Sequence, residues 1–389
     1  MGDRVIVSAV ITCGECEYCE KEQFSLCDRT NPSKTMESMY GHRTAGLFGY
    51  SHLTGGYAGG QAEFVRVPLA DNNLLVVTNK SLKDEQLILL SDIACTGWHA
   101  NELANVSQGD KVAIWGAGPV GLMACMWAFY RGASEIILVD GIEYRLARAR
   151  DAFLNVKWPV QKSEEFKSKW KTQSSMESTL PKQGISSTIA STEPTLSSFG
   201  EKTTESTSIP QTGYVQPSDT FIPKFHTVNY NDWKSVDGGV VKAIQQIMPG
   251  GPDCCLECVG FRFPQGFLHT LERTLGLETD SPQVLNDIIF SIKKGGRIGV
   301  VGDYLGYCNH FAIGAFMEKG LSCSCGQVFV QKYWKKLLEI FESGALPVDP
   351  TFVITHEMGL NEISKAYHMF SNYEDESIKI VLKPEYHSM

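Results

Sequence analysis

Apolar residues in this 389-residue chain fall into short runs divided by glycine turns, with one long interruption. Val5 to Val10 has the length of a strand, and Ala62-Glu-Phe-Val-Arg-Val67 alternates apolar and polar positions, which predicts a second. Asp84 to Ala104 reads as a helical connection. Val112 to Trp115 predicts a strand, followed by the turn Gly116-Ala-Gly118-Pro119-Val120-Gly121, an apolar helix through Arg131, and a strand from Ile136 to Val139 that ends in Asp140. From about Lys162 to Ser218 the pattern stops: Ser, Thr, Lys and Glu dominate, prolines are scattered, and no helix or strand period survives. Such a stretch buries too little apolar surface to offset its ordering entropy, so 155–223 is expected to be a disordered, low-complexity insertion. Alternation resumes at Phe225, with strands expected at His226–Tyr230 and Cys254–Gly260 and a helix at Val240–Met248. Gly295–Gly302 reads as a glycine turn, a strand and a loop, and Cys323 and Cys325 as strand residues. A helix at Tyr333–Glu342 and a last strand at Ile378–Lys383 close the chain.

The central stretch carries a chemical reading. A strand, a G-x-G-x-x-G turn, a helix and a second strand ending in an acid make a β-α-β unit with the dinucleotide fingerprint. Gly116 permits the tight turn, Gly118 lets the backbone approach a pyrophosphate, and Gly121 lets helix and strand pack closely. Free N–H groups and the positive end of the helix dipole then face the phosphates. Asp140 stands where a carboxylate accepts hydrogen bonds from ribose hydroxyls, which favours NAD over its 2′-phosphorylated form. The alternative is a glycine-rich turn that binds nothing.

Composition removes several classes. Hydrophobic content of 43% and charged content of 20% are those of an ordinary globular protein. The net charge of −9 argues against nucleic acid or anionic membrane as partner. The longest uncharged run, Val112 to Tyr130, is broken by the fingerprint glycines, so a strand-turn-helix reading displaces a membrane span. No signal peptide is read at the start, and a cytoplasmic location is expected. Cys13, Cys16, Cys19 and Cys27, spaced C-x2-C-x2-C-x7-C, place four sulfurs on one loop, a set suited to tetrahedral zinc with no open position. Two disulfides or four unrelated thiols are the alternatives, disfavoured in a reducing compartment.

These motifs together resemble the zinc-containing alcohol dehydrogenases of the medium-chain dehydrogenase/reductase superfamily, with a closer likeness to the formaldehyde-dehydrogenase-like and threonine-dehydrogenase-like members. Gly2-Asp3-Arg4-Val5, the four-cysteine lobe, Gly55 to Val65, Leu90 to His99 and the Gly116 fingerprint carry the likeness. It covers most of the chain outside about 155–225. The resemblance implies an α/β protein with a GroES-like barrel domain over 1–91 and 328–389, around a doubly wound Rossmann domain over 92–327. It implies a small alcohol or aldehyde as substrate, and homo-oligomers are common in the family. It places Asp92 at a ligand position of the catalytic zinc and Thr96 beside the nicotinamide. It also puts Arg145 near the adenine ribose, the loop at Val301 past the nicotinamide, and Lys379 toward the pyrophosphate.

One part of the family pattern is not found. The Cys-Gly-[Ser/Thr]-Asp-type turn and the Gly-His-Glu motif that supply the other catalytic ligands precede Gly-Asp-Arg-Val in the family, and here that stretch begins at residue 2. The barrel is accordingly expected to be N-terminally truncated, with the catalytic zinc site incomplete and the structural site whole. Two functions follow as expectations. One is an NAD-dependent alcohol or aldehyde dehydrogenase, and the other an NAD-binding, zinc-stapled protein with little turnover.

Overall fold

The structure, a computed structural model, describes residues 2–154, 156, 223–260 and 280–385. Its main feature is a six-stranded parallel sheet. Strands β1 (Val5–Val7), β2 (Val10–Ile11), β3 (Gly46–Leu47) and β4 (Leu74–Val76) precede it in the chain. The sheet itself is built from β5 (Lys111–Trp115), β6 (Glu135–Asp140), β7 (Lys224–Asn229), β8 (Cys254–Glu257), β9 (Arg297–Val300) and β10 (Ser322–Cys325). After it come β11 (His356–Gly359) and β12 (Ile380–Lys383). The spatial order is β10-β9-β8-β5-β6-β7, and every pair is parallel. Chain order therefore reverses between β5 and β8, and a crevice opens beyond the carboxyl ends of the strands at that switch point.

The core explains why these runs fold as they do. Strand β6 and the four residues of β8 are buried along their whole length, as expected for central parallel strands covered on both faces. Helix Pro119–Tyr130 is buried on every side from Gly121 to Tyr130, so it follows β5 into the interior rather than lying on the surface. Helix Ile93–Leu103 packs against it at Gly97, where a Cβ would stand 2.6 Å from the backbone nitrogen of Ala124. That contact brings Trp98 edge-on to Trp127, ring centroids 5.1 Å apart. Such an aromatic pair adds about 0.5–1.5 kcal/mol beyond the area it buries.

The smaller sheets are two-stranded: β1 with β4, β2 with β3, and β11 with β12. Two sequence expectations change here. Val5–Val10 is not one strand, because Ser8 interrupts it. The Ser8 N–H donates to the Asn73 carbonyl, the Ser8 hydroxyl bonds Val10, and the halves pair with different strands, β1 with β4 and β2 with β3. Ala62–Val67 forms no strand at all, and Phe64 is 79% exposed. Alternation supplies a two-faced side-chain pattern, but a strand also needs a partner for its backbone, and no described strand forms a ladder with this segment. The insertion expected over 155–223 lies, apart from Val156 and Pro223, outside the described residues.

Candidate cofactor and metal sites

The fingerprint turn occupies the switch point. Gly116 has φ +95°, a conformation open to glycine, and a Cβ there would meet the Cys258 carbonyl at 3.0 Å. A Cβ on Gly121 would stand 1.7 Å from the Gly116 carbonyl oxygen. Gly118 differs from both. It is extended (φ −73°, ψ −177°), caps the helix N-terminus, and a Cβ on it would meet nothing within 4 Å. Its open side is the approach a ligand backbone needs. Pro119 takes the first helical position, where its missing N–H costs nothing, and no side chain caps the helix. The N–H groups of Val120 and Gly121 are thus left for an anion.

Asp140 ends β6 beside this turn and is almost wholly buried. Its Oδ2 accepts the Ala117 N–H at 2.6 Å, and its Oδ1 accepts those of Gly141 and Ile142 at 2.7 and 2.8 Å. The acid therefore fastens the fingerprint turn to the next strand, a role that spacing alone did not reveal. Arg145 lies behind it, Nη1 3.9 Å from Oδ2, with its guanidinium 5.3 Å from the Tyr373 ring centroid. Val301 donates its N–H to the Glu257 carbonyl at 3.0 Å, in the loop after β9. Lys379 precedes β12, and its carbonyl accepts the Thr355 N–H at 2.9 Å. The donor set fits a dinucleotide: a glycine cradle, a free helix N-terminus and a carboxylate one strand away.

The four cysteines converge. Cys13, Cys16, Cys19 and Cys27 are all buried, and their sulfurs lie within 4.8 Å of one another. The Cys16–Cys19, Cys16–Cys27 and Cys13–Cys19 separations are 3.5, 3.8 and 3.9 Å. Four sulfurs about 2.3 Å from a common centre lie about 3.8 Å apart, so the cluster fits tetrahedral zinc, and no two of its sulfurs are joined in a disulfide. Burial and the neighbouring thiols push the Cys19 thiol far above its ordinary range, so a proton is readily lost from it only in exchange for a metal. The loop is fixed from outside by Asn72 Nδ2 on the Cys13 carbonyl (3.1 Å) and by Ser25 Oγ on the Gln327 carbonyl (2.8 Å).

Asp92 is not part of such a group. It is exposed, sits between two helical segments with φ −156° and ψ −79°, and accepts the Thr96 hydroxyl on Oδ1 at 2.8 Å. Among the described residues the four cysteines are the one set of three or more His, Cys, Asp or Glu side chains gathered at metal-ligand distance. The described residues do not fit a second, catalytic zinc, which needs about three protein ligands and an open position.

Sequence reasoning passed over Glu257. It is the one charged residue in the run Cys254–Gly260, and it is fully buried at the carboxyl end of β8. A lone acid inside an apolar strand was the available signal.

Comparison with known proteins supports the same assignment. Residues 1–77 match the alcohol dehydrogenase GroES-like domain. A zinc-type alcohol dehydrogenase-like protein of Schizosaccharomyces pombe is 29% identical over 380 residues, covering 98% of this chain and 72% of the relative. A glutathione-independent formaldehyde dehydrogenase of Pseudomonas aeruginosa is 40% identical over 153 residues, 39% of this chain and 36% of the relative. Among solved structures, an alcohol dehydrogenase from Thermus sp. ATN1 superposes with a TM-score of 0.64 at 24% identity, covering 99% of this chain and 78% of the other, which establishes the fold. In its parallel six-stranded sheet, fingerprint turn and four-cysteine lobe, and over nearly its whole length, the chain is similar to zinc-type alcohol dehydrogenases.

Proposed function

We propose that the protein is an NAD-dependent oxidoreductase of the alcohol or aldehyde type, moving a hydride from a primary or secondary alcohol, or a hydrated formaldehyde-type substrate, to NAD. The observation that carries this reading is the fingerprint turn, with Gly118 open to the crevice and Asp140 fastened beside it. When bound, NAD supplies the hydride acceptor. The chain supplies position. The N–H groups of Val120 and Gly121 hold the pyrophosphate, and Asp140, with Arg145 behind it, takes the adenosine ribose. The buried acid meets a 2′-phosphate with like charge, which selects against NADP. Cys13, Cys16, Cys19 and Cys27 hold a structural zinc that fixes the lobe and takes no part in hydride transfer.

The isolation of Asp92 favours a second reading, a cofactor-binding, zinc-stapled protein with little turnover. Titration of the zinc-loaded chain with NADH and NADPH, followed by an assay of alcohol-dependent NADH formation, separates the two. The first reading expects NADH bound at least about tenfold more tightly than NADPH, together with turnover. Binding without turnover selects the second, and no NADH binding overturns both.

None of the twelve cysteines is paired in a disulfide, which supports a cytoplasmic location. No helix among the described residues is long and apolar enough to cross a membrane. Strand β10 pairs only with β9 among the described strands, and its four residues are exposed, which supports homo-oligomer formation through that edge.

A further inference from the structure

Where β5, β8 and β9 end, their connecting turns form a tight knot with one carboxyl group at its centre. Glu257 Oε1 accepts the N–H groups of Val259 and Gly260, each at 2.8 Å. The Glu257 carbonyl accepts those of Val301 and Gly302, at 3.0 and 3.2 Å. One residue thereby ties the turn after its own strand to the loop after β9. There is no slack between them: a Cβ on Gly302 would stand 2.2 Å from Glu257 Oε2 and 2.4 Å from the Gly260 nitrogen. The same turn touches the fingerprint, since a Cβ on Gly116 would meet the Cys258 carbonyl at 3.0 Å.

The position of this knot defines its use. Asp140 ends β6, on one side of β5, so the adenosine half of a dinucleotide lies over β5 to β7. The other half then lies over β8 to β10, above the turns that Glu257 joins. Glu257 is fully buried, and its Oε2 has no hydrogen-bond partner among the described residues. The titratable groups that act on it or feel it are Asp303 and Tyr304 from the loop after β9, Cys258 from its own turn, and Cys323 on β10. None is a cation.

We propose that Glu257 is a positioning residue of the cofactor site, locking the 258–260 turn and the 301–302 loop into the arrangement that receives the nicotinamide half of the dinucleotide. It acts as the neutral acid. Burial pushes its carboxyl up to about 7, with Asp303 adding to the rise, against the opposing pull of the Gly260, Val259 and Gly302 N–H groups. The sign follows from proton counting. Between its ordinary value of 4.5 and about 7 the folded chain holds a proton that the unfolded chain has released. This group's contribution to stability therefore falls as pH rises through that window and levels off above it. A dinucleotide seated above the knot brings the negative charge of its pyrophosphate toward the carboxyl and raises the pKa further. NADH affinity consequently falls above about pH 7, by up to about tenfold for each unit of that rise.

The assignment rests on the NAD reading above, and one experiment separates the two. The zinc-loaded, full-length wild type, Glu257→Gln and Glu257→Ala are titrated with NADH from about pH 6 to about pH 9, with thermal unfolding run alongside. Glutamine keeps the carbonyl acceptor for the Val259 and Gly260 N–H groups and carries no charge. It is expected to match wild type at low pH and to lose the pH dependence. Alanine is expected to weaken binding about tenfold or more at every pH. If Glu257→Ala does not fold, the pH profile of Glu257→Gln decides alone. A Glu257→Gln profile that follows wild type, or a folded Glu257→Ala with wild-type affinity, overturns the assignment while leaving the NAD reading intact. A wild-type chain that binds no NADH overturns both.

Discussion

Gly116, Gly118 and Gly121 are equivalent letters of one motif, and the structure gives them unlike work. A side chain on Gly121 has no space, being 1.7 Å from the Gly116 carbonyl oxygen, whereas one on Gly118 meets nothing within 4 Å and has ordinary backbone angles. Gly118→Val should therefore leave the thermal midpoint near wild type and weaken NADH binding by about tenfold or more, because the new side chain occupies the pyrophosphate approach. Gly121→Val should lower the midpoint or abolish folding. Measuring both quantities on both variants checks the division; a Gly118→Val chain that binds NADH normally contradicts it. Residues of this kind were legible in the sequence because a turn, a helix start and an acid at set spacing are local features. Glu257 was marked there only as a lone acid in an apolar run, and its role was not legible, since that comes from main chain brought together from two separate strands.

At the scale of elements, local patterns succeeded where the partner is close in sequence or guaranteed by the fold. The β5-turn-helix-β6 unit matches its expected bounds within a residue or so, because each piece buries its apolar face against the next. The segment Ala62–Val67 failed for the opposite reason: its alternation is real, but no described strand lies in register with its backbone. The cysteine lobe combines both cases. Its spacing announced the cluster, yet only the structure shows that Ser25, inside the lobe, reaches the Gln327 carbonyl between β10 and helix Val330–Glu342. Removing the metal is accordingly expected to raise amide hydrogen exchange over 13–27 and around Gln327, and to leave β5 and β6 protected. Exchange unchanged over 13–27 after chelation would count against a metal-held lobe.

The whole molecule joins a cofactor-binding sheet, with its knot at the switch point, to a lobe that four sulfurs pin together. The fingerprint and the lobe were readable in the sequence, because each repeats a local pattern with a known physical purpose, whereas the spatial order of the strands came only with the fold. The standing of Asp92 was not readable from its position in a motif. A metal site is a property of several groups in space, and the described residues bring none of the others to it. The most direct measurement is zinc per chain on the 389-residue protein after extensive dialysis. The account predicts about one equivalent, lost on Cys16→Ser. About two equivalents would show that other groups complete a site at Asp92, and none would contradict the four-sulfur centre.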